Sequence, residues 1–272
     1  MNARKTELSV GIGGLGAIGR KVAARLDQGI PGLRLTAVSA RDAKQAASFI
    51  AGFRRPVPVV SLGELADLAD IVVECAPAEV FLDVAEPALR RGRTLVVISV
   101  GALLAHPEAK ELASSYDAHI VVPTGALLGL DAVQAAAEGE IHSVTMVTRK
   151  PPGGLEGAPY LVEHGISVKG LSAPLMVFEG SARDAVKGFP ANVNVAAALS
   201  LAGIGPDRTM IQIWADPAVS RNLHTITVVA DSAEFTLSIA NIPSENPKTG
   251  KITALSIIAA LRKMGSVLRI GT

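Results

Sequence analysis

Residues 10–19 read VGIGGLGAIG, five glycines in ten positions. Glycine loses more conformational freedom on folding than any other residue, so such a cluster points to a backbone geometry that side chains would obstruct. Before it runs the apolar stretch LSVGIG (8–13). After it comes AIGRKVAARLD (17–27), with Ile18, Val22 and Leu26 spaced i, i+4, i+8 along one helical face. Strand, turn and helix in that order select Gly14, Gly16 and Gly19 as a G-x-G-x-x-G dinucleotide-binding fingerprint. Gly14 is expected to make the tight turn, Gly16 to admit a pyrophosphate against bare backbone, and Gly19 to let helix and strand pack closely. Ala17 and Ile18 complete the helix N-terminus, whose unpaired amides and dipole favour the phosphates.

A fingerprint of this kind is usually followed, roughly twenty residues on, by an acidic residue that holds the ribose 2′-hydroxyl. The second apolar run instead ends AVSARD, with Ser39 and Ala40 in that region, then Arg41, and Asp42 slightly late. An arginine there either neutralises a 2′-phosphate, so that NADP is accepted as well as NAD, or lies on the adenine ring.

Working outward to about residue 125, the runs LSVGIG, LRLTAVS, VPVV, IVVECA, TLVVIS and HIVVP are almost wholly apolar, as strands buried on both faces are, and helical segments separate them. The SLGE of 61–64 has capping-box spacing. Alternating strands and helices predict an α/β fold whose N-terminal domain, 1–125, is a doubly wound, Rossmann parallel sheet. Beyond about residue 140, IHSVTMVT, MIQIWA, HTITVVA and EFTLSIA alternate apolar with polar residues as half-exposed strands do. They predict a second α+β domain, 126–249, built on a mixed or antiparallel sheet and carrying substrate binding and oligomerisation. Within it KPPGGLEGAPYLVEHG reads as a loop, and SARDAVKGFP and NVAAALSLAG as two helices. The last helix, about 250–272, is apolar on more than one side and is a candidate to pack back on the first domain.

Composition narrows the function. Lys and Arg number 26 against 25 Asp and Glu, and aromatic residues are 3% of the chain, which argues against nucleic-acid partners. No apolar run is long enough for a membrane span and the N-terminal residues lack a secretory h-region, so a cytoplasmic protein acting on a small molecule is expected. The single cysteine, Cys75, fits a reducing compartment and no metal site is expected.

Of five histidines, His106, His119, His142 and His164 have no polar constellation beside them in sequence. His224 follows a turn containing Asp216, Arg221 and Asn222, groups that could orient a titrating imidazole. ECAPAE (74–79) and SVGAL (99–103) end the fourth and fifth apolar runs, where open α/β sheets bind ligands. Cys75, Ala76 and Ser99 are therefore expected to border the nicotinamide. Cys75 has no basic neighbour in sequence, and a buried thiol is the commoner role. Lys150 and, less strongly, Lys248 are the lysines available for a substrate carboxylate.

Four further segments, VPTGALLGLDA (122–132), FPANVNVAAALSLAG (189–203), ADPAVSRNLHTI (215–226) and IANIPSENPKTG (239–250), follow the fingerprint in order. With them the chain resembles the L-aspartate dehydrogenase family over nearly its whole length. The resemblance implies NAD(P)-dependent oxidation of L-aspartate to iminosuccinate, hydrolysing to oxaloacetate and ammonia, and feeding NAD biosynthesis. It implies His224 as acid/base residue, in D-P-A-x-x-x-N-x-H, with cofactor contacts from Ala126 and from Asn192 or Asn194. Where relatives favouring NAD tend to carry Asp, this chain has Ala40. The alternatives are a two-domain reductase of the dihydrodipicolinate reductase or homoserine dehydrogenase type, and a non-catalytic NAD(P)-sensing protein. The half-exposed strands lead us to expect a homodimer or higher homo-oligomer.

Overall fold

The computed structural model describes residues 7–190, 194–244 and 250–271. The chain forms two compact units, one of residues 1–123 with 254–270 and one of residues 124–253 with 271–272.

The first unit holds a five-stranded parallel sheet of β1 (Leu8–Gly13), β2 (Leu33–Ser39), β3 (Ile71–Glu74), β4 (Thr94–Val97) and β5 (His119–Val121), ordered β2-β1-β3-β4-β5. Every residue of β3 is buried, as its apolar residues Ile71, Val72 and Val73 predict, and the terminal Glu74 is buried with them. VPVV (57–60) is not a full strand: it contributes one parallel bridge, Val38 to Val59. Its backbone hydrogen-bonds at only two places, Val38 N–H to Pro58 O and Val60 N–H to Val38 O. Pro58 has no N–H to extend the ladder. Counted as the third element, this bridge gives the 3-2-1-4-5-6 order of dinucleotide-binding sheets. ECAPAE and SVGAL accordingly follow the third and fourth full strands.

Helix Ala17–Gln28 buries Gly19, Val22, Ala23 and Leu26. The capping box forms reciprocally: the Ser61 N–H and hydroxyl donate to Glu64 Oε2 at 2.8 and 2.7 Å, and the Glu64 N–H donates to Ser61 Oγ at 3.4 Å. It opens the short helix Leu65–Leu68. The core of this unit joins Val10, Ile12, Val22 and Val38 to Ile257 and Leu261 of the C-terminal helix Lys251–Gly265.

The second unit carries β6 (Ile141–Lys150), β7 (Leu175–Ser181), β8 (Thr209–Ala215), β9 (Leu223–Ala230) and β10 (Glu234–Ala240) in the order β10-β9-β6-β8-β7. Only β6 and β8 run parallel, so the sheet is mixed. Alternation along β6 buries Val144, Met146, Thr148 and Lys150 on one face. β7 is the strand that periodicity missed, because LMVFEGS exposes residues at one end and lacks a clean alternation. It is held by Phe178, whose ring meets Tyr160 at 5.2 Å and Phe189 at 5.6 Å. The expected loop after β6 contains a short helix, Pro159–Glu163, begun by a proline in its first turn. Helices Ala182–Gly188 and Asn194–Ala202 occupy the two expected helical segments.

Candidate functional site

At the C-terminal ends of β1 and β2 a cleft of about 780 Å³ opens on the first unit, within the size range of small-molecule pockets. The glycine turn forms one wall. Gly14 has φ 102°, and a Cβ on it would stand 2.5 Å from the Cys75 carbonyl oxygen. A Cβ on Gly19 would collide with the Gly14 carbonyl oxygen, whereas one on Gly16 would meet nothing within 4 Å. Two glycines are thus required by the fold itself, and the third leaves open space. Helix Ala17–Gln28 begins at Gly16 with no side-chain cap and no acidic residue in its first turn. Its first amides, from Ala17, Ile18 and Gly19, and its positive dipole end are suited to an anion. These features fit the pyrophosphate of a nicotinamide dinucleotide.

Arg41, Cys75 and Ala76 line the same cleft. Ser99 does not: its hydroxyl donates to Glu74 Oε1 at 3.0 Å and to the Ala76 carbonyl at 3.3 Å. Glu74 is fully buried and is a residue that sequence reasoning passed over. Its Oε2 also accepts the N–H groups of Ile98 and Ser99, at 3.1 and 2.9 Å, so one carboxylate joins the ends of β3 and β4. Burial pushes its pKa up, and the hydrogen bonds from Ser99 and Ile98 oppose the rise. Burial, with the Glu74 charge second, pushes the Cys75 thiol well up. A thiolate nucleophile is therefore not available there.

The second unit gathers a different set. Thr148 of β6 and His224 of β9 are direct cross-strand partners, and Lys150 lies two residues along β6 on the same face. All three are buried, at 3%, 3% and 4% exposure for Thr148, His224 and Lys150. Thr148 Oγ1 lies 3.0 Å from His224 Nδ1. Burial lowers the Lys150 pKa to about 8. Burial first, and then the Lys150 charge, lowers that of His224 to about 3. At neutral pH the imidazole is uncharged, and Lys150 titrates within reach of physiological pH.

Of the turn residues expected to orient His224, Asp216 is engaged elsewhere. Asp216 accepts from Arg149 Nη1 at 3.0 Å and from the Ala218 N–H at 2.9 Å, and its own N–H donates to the Lys150 carbonyl at 2.8 Å. The Arg149 guanidinium lies over the Trp214 ring, 4.9 Å from its centroid. Asn222 gives its carbonyl to the Asn241 N–H. Thr148 is the orienting group, and only strand register, not local sequence, brings it to His224.

Ala126 belongs to this unit, and its carbonyl accepts from Asn241 Nδ2 at 2.9 Å. Asn241 is buried, with Oδ1 lacking a partner among the described residues. Asn194 begins helix Asn194–Ala202. Asn192 and Lys248 lie outside the described residues. Among the described residues no group of acidic, histidine or cysteine side chains could hold a metal ion.

Residues 131–264 match the family described as "Aspartate dehydrogenase, C-terminal", and residues 14–123 match "Homoserine dehydrogenase, NAD binding domain". The chain is 58% identical, over 267 residues, to an L-aspartate dehydrogenase of Bradyrhizobium diazoefficiens, covering 98% of this chain and 95% of that one. It is 58% identical to L-aspartate dehydrogenase 3 of Bordetella bronchiseptica, with both chains covered in full. The chain belongs to the L-aspartate dehydrogenase family. The coenzyme of its first unit is NAD or NADP, and the homoserine dehydrogenase likeness is confined to that unit. In fold the chain is similar to the crystal structure of aspartate dehydrogenase from Thermotoga maritima, with a TM-score of 0.71, 24% identity, and 97% and 99% of the two chains covered.

Proposed function

We propose that this chain oxidises L-aspartate to iminosuccinate, which hydrolyses to oxaloacetate and ammonia, with His224 as the acid/base residue. The observation that carries the assignment of His224 is its burial beside Thr148 and Lys150 on one face of the mixed sheet. When bound, the nicotinamide coenzyme accepts the hydride. Its binding residues are the backbone of Gly14, Gly16, Ala17, Ile18 and Gly19, with Arg41, Cys75 and Ala76 in the cleft. The family resemblance adds Ala126 and either Asn192 or Asn194 as coenzyme contacts, and Ser99 acts through its bonds to Glu74 and Ala76.

The chemistry asked of His224 is proton transfer. Neutral imidazole takes a proton from the substrate ammonium; the freed nitrogen lone pair forms the C=N bond as the α-hydrogen leaves with its electron pair. For Nε2 to accept that proton, Nδ1–H must donate to Thr148 Oγ1, so Thr148 holds the reactive tautomer. Lys150 supplies positive charge to a substrate carboxylate. A bound dicarboxylate in turn raises the His224 pKa from its low resting position and makes it a stronger base.

We further read the chain as a homo-oligomer working in the cytoplasm on small molecules, without nucleic-acid or membrane partners. Supporting this are the balanced charge, the absence among the described residues of a helix long and apolar enough to cross a membrane, and the partly exposed outer face of β9 and β10.

Initial rates with L-aspartate and with other amino acids, with each coenzyme, test the reading. Aspartate is expected to be the preferred substrate, and His224→Ala to lower kcat about a hundredfold or more while leaving coenzyme binding intact. Coenzyme binding without turnover of any amino acid would leave the non-catalytic sensor as the answer.

A further inference from the structure

The β2 side of the cleft carries information about which coenzyme it takes. We propose that it selects the 2′-phosphorylated coenzyme, NADP, and that Arg41 is the residue that grips the phosphate. The inference rests on the reading of this cleft as the coenzyme site.

Discrimination against a 2′-phosphate normally comes from a carboxylate at the end of the second strand, which accepts from the ribose hydroxyls and repels the phosphate. β2 ends at Ser39, followed by Ala40, so no carboxylate stands at that end. The first acid is Asp42, and its Oδ1 is committed: it accepts the Gln45 N–H at 2.9 Å as N-cap of helix Ala43–Ile50. Turning Asp42 toward a ribose would uncap that helix.

Positive charge takes the place of the missing acid. Arg20 reaches the cleft from helix Ala17–Gln28 and is fixed there, with Nε donating to Leu15 O at 3.0 Å and Nη2 to Gln45 Oε1 at 2.7 Å. Its guanidinium carbon lies 5.1 Å from the Phe49 ring centroid. Arg41 is exposed on the same side and takes part in none of the ion pairs among the described residues. The other acid lining the cleft, Glu79, follows β3, on the far side of β1 from β2. A 2′-phosphate would therefore meet one unpaired guanidinium with a second, anchored one in the same cleft, and on the β2 side one carboxylate, Asp42, whose Oδ1 is held by the helix cap. A ribose hydroxyl would find no carboxylate at the strand end itself, where Ser39 and Ala40 stand.

An arginine that merely lay on the adenine would help both coenzymes equally, so the test uses fragments that differ only in the phosphate. Titration calorimetry of the full chain with adenosine 2′,5′-bisphosphate and with 5′-AMP reads binding without turnover, and NADP and NAD repeat the comparison. The wild type is expected to bind the bisphosphate about tenfold or more tightly than 5′-AMP. Arg41→Ala is expected to abolish that margin and leave 5′-AMP unchanged, and Ala40→Asp to reverse the preference toward NAD. Equal affinities in the wild type, or an Arg41→Ala variant that weakens both fragments alike, would overturn the proposal. If neither fragment nor either coenzyme binds, the coenzyme reading of the cleft falls with it, whereas tight NAD binding with weak NADP binding sinks the phosphate preference alone.

Discussion

Thr148 Oγ1 and His224 Nδ1 stand 3.0 Å apart on neighbouring antiparallel strands, buried on one face of the mixed sheet. Because the pair is directly in register, the imidazole is aimed by the backbone ladder and fixed by one hydroxyl. Thr148→Val keeps the shape and removes that hydroxyl. It is expected to lower kcat about tenfold or more, by releasing the tautomer, with little change in coenzyme affinity. Thr148→Ser should restore most of the rate. Steady-state kinetics of the two variants decide the matter, and equal rates for Val and wild type would remove Thr148 from the mechanism.

Lys150 should set opposite demands on stability and substrate binding. Its pKa falls from 10.5 to about 8, so between those values the unfolded chain holds more protons than the folded one. Stability contributed through this group therefore rises as the pH climbs from 8 toward 10.5, and burying the ammonium costs on the order of 3 kcal/mol below pH 8. Lys150→Met is expected to raise the Tm at pH 7 and to raise KM for aspartate. The wild-type KM should climb above pH 8 as the charge is lost, and that climb should vanish in the variant.

The same linkage runs through His224 at lower pH. With a folded-state pKa of about 3 against the ordinary 6.5, the unfolded chain takes up the proton first as the pH drops. Stability associated with His224 is complete above pH 6.5 and is lost from there toward 3. His224→Asn should flatten the acid limb of a Tm-against-pH curve. An acid limb as steep as the wild type's would assign that loss to other groups.

Glu74 should prove a positioning residue for the coenzyme cleft. Glu74→Leu leaves the part-buried Ile98 N–H and the buried Ser99 N–H without their acceptor, at about 1–3 kcal/mol for the buried one. The expected readouts are a lower Tm and a raised KM for coenzyme. Glu74→Gln retains a carbonyl oxygen in the same place and should recover most of both, which a purely charge-based role would not allow.

The two kinds of glycine in the turn separate fold from binding. Gly19→Ala drives a Cβ into the Gly14 carbonyl and should destabilise the first unit. Gly16→Val enters open space and should leave the circular dichroism spectrum and Tm near wild type while weakening coenzyme binding about tenfold or more, by obstructing the close approach of the pyrophosphate.

Much of this was legible in the sequence, for reasons that differ by element. The parallel sheet announces itself because strands buried on both faces are largely apolar, as in the IVV of β3. The glycine turn is equally plain, since its demands are local. Pro58 is the local signal that VPVV would stop at one bridge. β7 left no periodic trace, because residues at one end are exposed and break its alternation. Lys150 could be singled out by type and position, but its burial could not. Thr148 and Glu74 escaped notice altogether: each acts through a partner 76 or about 25 residues away, and threonine in a strand or glutamate ending one carries no mark of its own.

The C-terminal helix places Ile257 and Leu261 among the first unit's core residues beside Val10 and Val22. During synthesis the nucleotide-binding sheet leaves the ribosome well before the helix Lys251–Gly265, so part of its interior is still unmade until that helix emerges. N-terminal-first folding, the usual course for chains of several domains, is interrupted here. A chain stopped shortly before residue 251 should present an open apolar trough to chaperones and proteases, although every glycine of the turn is already in place.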